Sequence, residues 1–369
     1  MKRFLSMLMV SAGILVLAGC GGDDTTKALG NSKEKVDLRI STGLPDTHQW
    51  MLGYFNPMLE EIKELSGDKL DYTLFTSGEL VATREELDAL NSGTIDVAIP
   101  LHPIYDPERF PLSEITMLPI LESDVQIATE AFNNLFKDDV VLTNGKTYEE
   151  YVYVDKGIKV FPMVSTFPYV ISTTKSEINS LDDLKGLKLR SGARVHDLFT
   201  KNIGASPISL PFTDLYDGLS KGTLDGALLA VPDWTSYGLE KLFNYTIEGL
   251  NLGHYSALTT MTMKTWDSLP SEVQSAFEEA TQNQLQAGVD NWIKVNENVR
   301  ETSTGKYVNV SELEPELQTK LEDAIAKTWT DWIKTVEAAG HPAKEAAIIW
   351  RDLIVEAGGK VPDAVMDIK

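Results

Sequence analysis

GLKLRSGARVHDLFTKNIGASPISLPFTDLYDGLSKGTLDGALLA, residues 186–230, reads as strand, helix, strand, helix, strand. LKLRS (187–191) is a short extended run after a glycine, and residues 196–203 carry a helical pattern that stops at Gly204. ASPISLP (205–211) is extended again, residues 213–221 are helical, and TLDGALLA (223–230) is a third strand. This alternation predicts a parallel α/β sheet. It also places Arg190 at the carboxyl end of a strand, before Ser191 and Gly192, with Arg194 four residues on. Ligands of open α/β sheets sit outside the carboxyl ends of strands, and a planar guanidinium matches a carboxylate in bidentate fashion. The bland alternatives are a surface salt bridge from Arg190 to Asp182, Asp183 or Asp197, and a solvated first-turn Arg194.

The same theme occurs upstream. VDLRIST (36–42), LDYTLFT (70–76) and TIDVAIP (94–100) read as strands. Between the first two, Phe55, Met58, Leu59, Ile62 and Leu65 recur at helical spacing; before the third, Thr83 and Glu86 have the spacing of a capping box. GIKVFPMV (157–164) and YVISTT (169–174) lead into the opening stretch, and ALTTMTM (257–263) follows it. Ser271 and Gln274 start a long helix marked by Val273, Phe277, Leu285, Val289, Trp292 and Val299, and the C-terminal third is helical. The pattern is two α/β units in tandem.

Lys2 and Arg3, an apolar run over residues 4–17, and Leu17-Ala18-Gly19-Cys20 have the layout of a secretory signal with a lipobox. Residues 1–19 are the signal, and Cys20, the sole cysteine, is the expected lipidation site. Residues 20–35 form a polar, aperiodic tether. The reading is an extracytoplasmic protein anchored to the membrane by lipid and not spanning it. About 335 residues remain, which suits two domains better than one core. A net charge of −22 argues against nucleic acid as a partner.

Chemistry is not signalled. His48, His102, His196, His254 and His341 are scattered, without metal-ligand spacing, and no nucleophile elbow, Walker loop, dinucleotide fingerprint or free cysteine occurs. No cofactor or metal is expected, and the chain reads as a binding protein and not an enzyme. A carboxylate pair hidden among the many acids keeps an extracytoplasmic hydrolase or lyase open.

From about Val36 to the C-terminus the chain resembles the substrate-binding proteins of tripartite ATP-independent periplasmic (TRAP) transporters. The resemblance rests on LPDTHQWMLGYFNPMLEEI (44–62), LFTSGELV (74–81), LNSGTIDVAI (90–99), RFPLSEITMLPIL (109–121) and, above all, the run from Ser180 to Gly226. It implies a two-lobed periplasmic-binding-protein-like fold of type II, with an interlobe ligand cleft, connecting strands and a long lobe-spanning helix. The lobes are expected at 36–164 with 256–300, and at 165–255 with 301–369. It further implies a small organic acid as ligand, a two-component membrane permease as partner, and Arg190 as the residue that pairs with the ligand carboxylate. Arg194 falls where one subgroup of the family has a second basic residue. The chain departs from the family in the apolar run Ala227-Leu228-Leu229 after Asp225-Gly226. With Phe167, Phe212, Leu229 and Trp234, that run predicts an apolar wall and a ligand with few hydroxyls, although each aromatic could be lobe core instead; Tyr169 is a further candidate ligand contact. His48 and His102 are candidate hydrogen-bond donors from first-lobe loops. A binding protein of an ATP-driven transporter and a ligand sensor are the alternatives within the binding class.

Overall fold

The structure is a computed structural model that describes residues 35–309 and 312–369. The signal segment, the Cys20 lipidation site and the tether up to residue 34 lie outside the described residues. Eleven strands are described: β1 Val36–Ser41, β2 Leu70–Phe75, β3 Val97–Leu101, β4 Ile158–Pro162, β5 Val170–Thr173, β6 Lys188–Ser191, β7 Ser206–Ser209, β8 Gly226–Leu229, β9 Tyr245–Glu248, β10 Leu258–Thr262 and β11 Lys306–Asn309. They form two sheets, in the orders β2-β1-β3-β10-β4 and β11-β9-β5-β8-β6-β7.

The expected strands are present, but neither sheet is purely parallel. β10 runs antiparallel to β3 and β4. β5 runs antiparallel to β8 and β9. Both are strands that arrive from the other sheet, so they enter their own from the opposite end. β9 and β11, four residues each, add two strands that the sequence pattern does not predict. The long helix is also two helices, Ser271–Asn283 and Leu285–Thr302, separated at Gln284. The second still reaches between the sheets. Its Gly288 leaves no room for a Cβ beside Val164 and Tyr54, and its Arg300 pairs with Glu248 on β9.

Three segments cross side by side between the sheets. Tyr169 N donates to Gly253 O (2.9 Å), Thr166 N to Tyr255 O (3.0 Å) and His254 N to Thr116 O (2.8 Å). Gly253 allows this approach. Its φ is +83°, and a Cβ there would lie 2.5 Å from the Met117 backbone. Gly226 does the same inside β8, where a Cβ would lie 2.3 Å from Ser172 O. Asp225, beside it, accepts from Lys188 N (2.9 Å) and so ties β8 to β6.

Residues 186–230 fold as strand, helix, strand, helix, strand. β6 begins exposed at Lys188 and ends buried at Leu189, Arg190 and Ser191. Helix Arg194–Asn202 buries Val195, His196, Phe199 and Thr200, and packs its apolar face on helix Pro315–Ala338. That second helix also packs against helix Ala343–Glu356, which lies on Val125–Asn134. Among the described residues no helix is long and apolar enough to cross a membrane.

Candidate functional site

A narrow pocket, with about 20 Å³ of room, lies where the crossing segments meet loops from both sheets. Leu44, His48, Trp50 and His102 line it from loops beside the first sheet; Phe212, Leu229, Asp233 and Tyr237 line it from the second. Thr166, Tyr169 and Tyr255, on the crossing segments, complete the wall. His48, His102, Tyr169, Phe212 and Leu229 are therefore brought together. Tyr237, Tyr255, Trp50 and Asp233 join them without any sequence pattern that would have singled them out.

Arg190 stands directly behind this wall and is fully buried. Nε donates to Leu210 O (2.9 Å), Nη1 to Leu228 O (3.4 Å) and Nη2 to the Tyr105 hydroxyl (3.2 Å). Among the described residues it has no carboxylate partner. Of the alternatives, Asp197 instead accepts from the Ser191 hydroxyl, Asp183 caps Ser180 and Asp182 pairs with Lys185. Burial pushes the phenols of Tyr169, Tyr237 and Tyr255 well above the ordinary tyrosine value, so near neutral pH they offer O–H groups and no negative charge.

Three expected residues stand elsewhere. Arg194 Nη2 is 2.5 Å from the buried Glu114 carboxylate, and Arg194 N donates to the same group (2.7 Å). Trp332 Nε1 donates to it at 3.4 Å. Arg194 is thus held by an acid that sequence spacing did not connect to it. Phe167 lines a different groove, along with Pro168, Glu248 and Arg300. Trp234 packs on Phe243 and Tyr307, away from the pocket.

The pocket histidines have fixed surroundings. His48 Nδ1 accepts from Trp50 N (3.1 Å), which leaves the proton on Nε2, 3.5 Å from Asp233. Asp233 is held from the first-sheet side by Gln49 Nε2 (2.6 Å), and Ser236 donates to Gln49 Oε1 (2.5 Å). His102 Nδ1 is 2.8 Å from Glu86 Oε1, and Arg84 N donates to Glu86 Oε2 (2.9 Å). Glu86 therefore does not close the expected capping box. The helix begins after Glu85, and the Thr83 hydroxyl has no partner. Among the described residues no group of three or more His, Cys, Asp or Glu side chains is placed to hold a metal ion.

His196 and His254 lie outside the pocket, wholly buried, and burial lowers each to about 4. Each uses one N–H, to Leu252 O (2.7 Å) and to Thr166 O (2.8 Å). In the unfolded chain both titrate near 6.5, so their contribution is fully present above that pH and lost as pH falls from about 6.5 to 4. Each is worth on the order of 3 kcal/mol over that range. Glu114, raised by burial against the pull of Arg194, opposes them with one group. Urea denaturation at pH 7.5 and at pH 5 is expected to show a clearly lower midpoint at pH 5. Equal midpoints would mean that these histidines are not buried as neutral rings.

A model of the bacterial extracellular solute-binding proteins of family 7 (DctP) matches residues 40–335. The chain is 25% identical over 283 residues to the monocarboxylate 2-oxoacid-binding periplasmic protein of Nostoc sp. PCC 7120, covering 76% of this chain and 74% of that one. Among solved structures it is similar to a marine metagenome TRAP solute-binding protein specific for aromatic acids, in complex with metahydroxyphenylacetate. The TM-score is 0.76 at 21% identity, covering 88% of this chain and 100% of the other. A TRAP solute-binding protein of Rhodoferax ferrireducens T118 with copurified benzoate is similar at a TM-score of 0.75 and 20% identity, covering 88% and 98%.

Proposed function

The chain belongs to the bacterial extracellular solute-binding proteins of family 7, and from that premise we propose that it captures a small organic monocarboxylate and hands it to a TRAP-type permease. The observation that carries this is Arg190. A guanidinium sealed in the protein, with two carbonyls and a phenol for company, is a charge in need of an anion. A ligand carboxylate that displaces the Tyr105 hydroxyl supplies it. The apolar body then rests against Phe212, Leu229, Leu44 and the tyrosine rings. A second carboxylate would meet Asp233, which disfavours dicarboxylates. The aromatic acids of the two solved neighbours and the 2-oxoacid of the Nostoc relative support the same class.

Gln49–Asp233 and Tyr105–Arg190 join loops of the two sheets across the pocket, so contacts from both sides close it and ligand shifts the population toward closure. The lobe division at 36–164 with 256–300, and 165–255 with 301–369, is part of the proposal. Each sheet draws its strands from one of these sets, while helix Ala343–Glu356 departs from the division by packing on Val125–Asn134. Lipid anchoring through Cys20 on the outer face of the cell membrane is proposed from the sequence alone.

A thermal-shift screen tests the reading with 2-oxo acids, aromatic acids, dicarboxylates and sugar acids. A ligand at a thousand times its Kd adds about 4 kcal/mol, several degrees of melting temperature. Monocarboxylates with apolar bodies are expected to give the shifts. Hits confined to dicarboxylates or sugar acids would overturn the apolar-wall account, and no shift with any carboxylate would overturn the organic-acid reading.

A further inference from the structure

The pocket holds two buried polar atoms without partners, His102 Nε2 and the Tyr255 hydroxyl. Both residues line it, and their ring centroids are 6.1 Å apart. The His102 ring centroid lies 5.7 Å from that of Phe212, which also lines the pocket, and 5.7 Å from that of Tyr105. A buried polar atom without a partner destabilises the pocket, and a ligand relieves this if it supplies the matching group.

The matching group follows from Glu86. Its Oε2 accepts from Arg84 N, and its Oε1 faces His102 Nδ1. A carboxylate that only accepts places the proton on Nδ1, and the neutral ring then presents a bare lone pair at Nε2. In that tautomer His102 offers the ligand an acceptor, where the sequence reading has a donor. Tyr255, a neutral phenol, can donate. A ligand hydroxyl both gives a hydrogen bond and takes one, so a single such group serves both atoms.

We propose that the ligand is a hydroxylated monocarboxylate whose hydroxyl donates to His102 Nε2 and accepts from the Tyr255 hydroxyl, with Glu86 fixing the direction of the first bond. The proposal rests on the organic-acid reading above and deepens it.

The test compares benzoate and phenylacetate with their ring-hydroxy and ring-methoxy derivatives at each ring position, by titration calorimetry. The methoxy group keeps the acceptor oxygen and removes the donor. For wild type, the best-placed hydroxy acid is expected to bind about tenfold or more tighter than its methoxy and unsubstituted counterparts. Glu86→Gln supplies the decisive arm. Arg84 N continues to require the amide oxygen, so the amide N–H₂ turns to His102 Nδ1, drives the proton to Nε2 and makes that atom a donor. The hydroxy-over-methoxy preference is expected to shrink or reverse in this variant, while the affinity for unsubstituted acid stays within a few-fold. A merely structural Glu86 would lower all affinities alike. If wild type binds all three kinds of acid equally, or Glu86→Gln leaves the ratio unchanged, the proposal falls while the organic-acid reading stands. If no acid binds wild type, both fall. Should Glu86→Gln fail to fold, Tyr255→Phe serves instead, and it must cut hydroxy-acid affinity more than that of the unsubstituted acid or the proposal falls.

Discussion

Replacing Arg190 by lysine is expected to weaken carboxylate binding by about a hundredfold or more, with the protein still folded. The guanidinium spends Nε on Leu210 O and Nη1 on Leu228 O, and keeps Nη2 on a phenol that a ligand can displace. Those first two bonds fix the fork and aim its outer edge. An ammonium has the same charge but no fork, and it cannot hold both carbonyls while meeting a carboxylate in two places. The carbonyls also lose partners, so a drop of about 2 kcal/mol in stability accompanies the substitution. Calorimetry with the acid that gives the largest thermal shift checks the affinity, and a melting curve checks the fold. Unchanged affinity would remove Arg190 from the site. A loss of affinity confined to one acid would show that the residue reads the ligand's body and not its carboxylate.

Much of this was legible in the chain because hydrophobic pattern and turn chemistry act over short distances. The stretch 186–230 announces its strands and helices through local apolar runs and glycine stops, and Arg190 stands buried near the strand end where that pattern puts it. What stayed hidden is contact between distant segments. Glu86 reads as a capping residue three positions after Thr83, because sequence shows its neighbours and not His102 across the loop. Tyr255 and Tyr237 are unremarked aromatics until the fold brings them to one wall. The strand directions of β5 and β10 depend on which sheet each came from, which no local pattern encodes. Arg194 shows the limit most clearly. Four residues after Arg190 and on the next helix, it looks like a second ligand contact, yet its partner lies eighty positions earlier.

That partner decides what Arg194→Ala does. Glu114 is wholly buried, and its carboxylate is held by the Arg194 guanidinium, the Arg194 backbone N–H and, more weakly, Trp332. Alanine keeps the backbone donor and removes the compensating charge. An uncompensated buried carboxylate costs about 3–5 kcal/mol, a large part of the stability of an ordinary domain. The variant is expected to lose that much in urea denaturation near pH 7, while affinity of the folded fraction for the best-binding acid stays within a few-fold. pH supplies a second signature. Burial already raises the Glu114 carboxyl, and removal of Arg194 takes away the largest influence that lowers it. A carboxyl raised in the folded state destabilises above its folded pKa, and the penalty fades as pH falls through that value. The deficit of Arg194→Ala relative to wild type should therefore narrow at pH 5. Adding Glu114→Gln should recover much of the loss at pH 7, since a neutral amide leaves no unpaired charge. Wild-type stability combined with weakened binding would instead place Arg194 at the ligand, as its spacing from Arg190 first suggested.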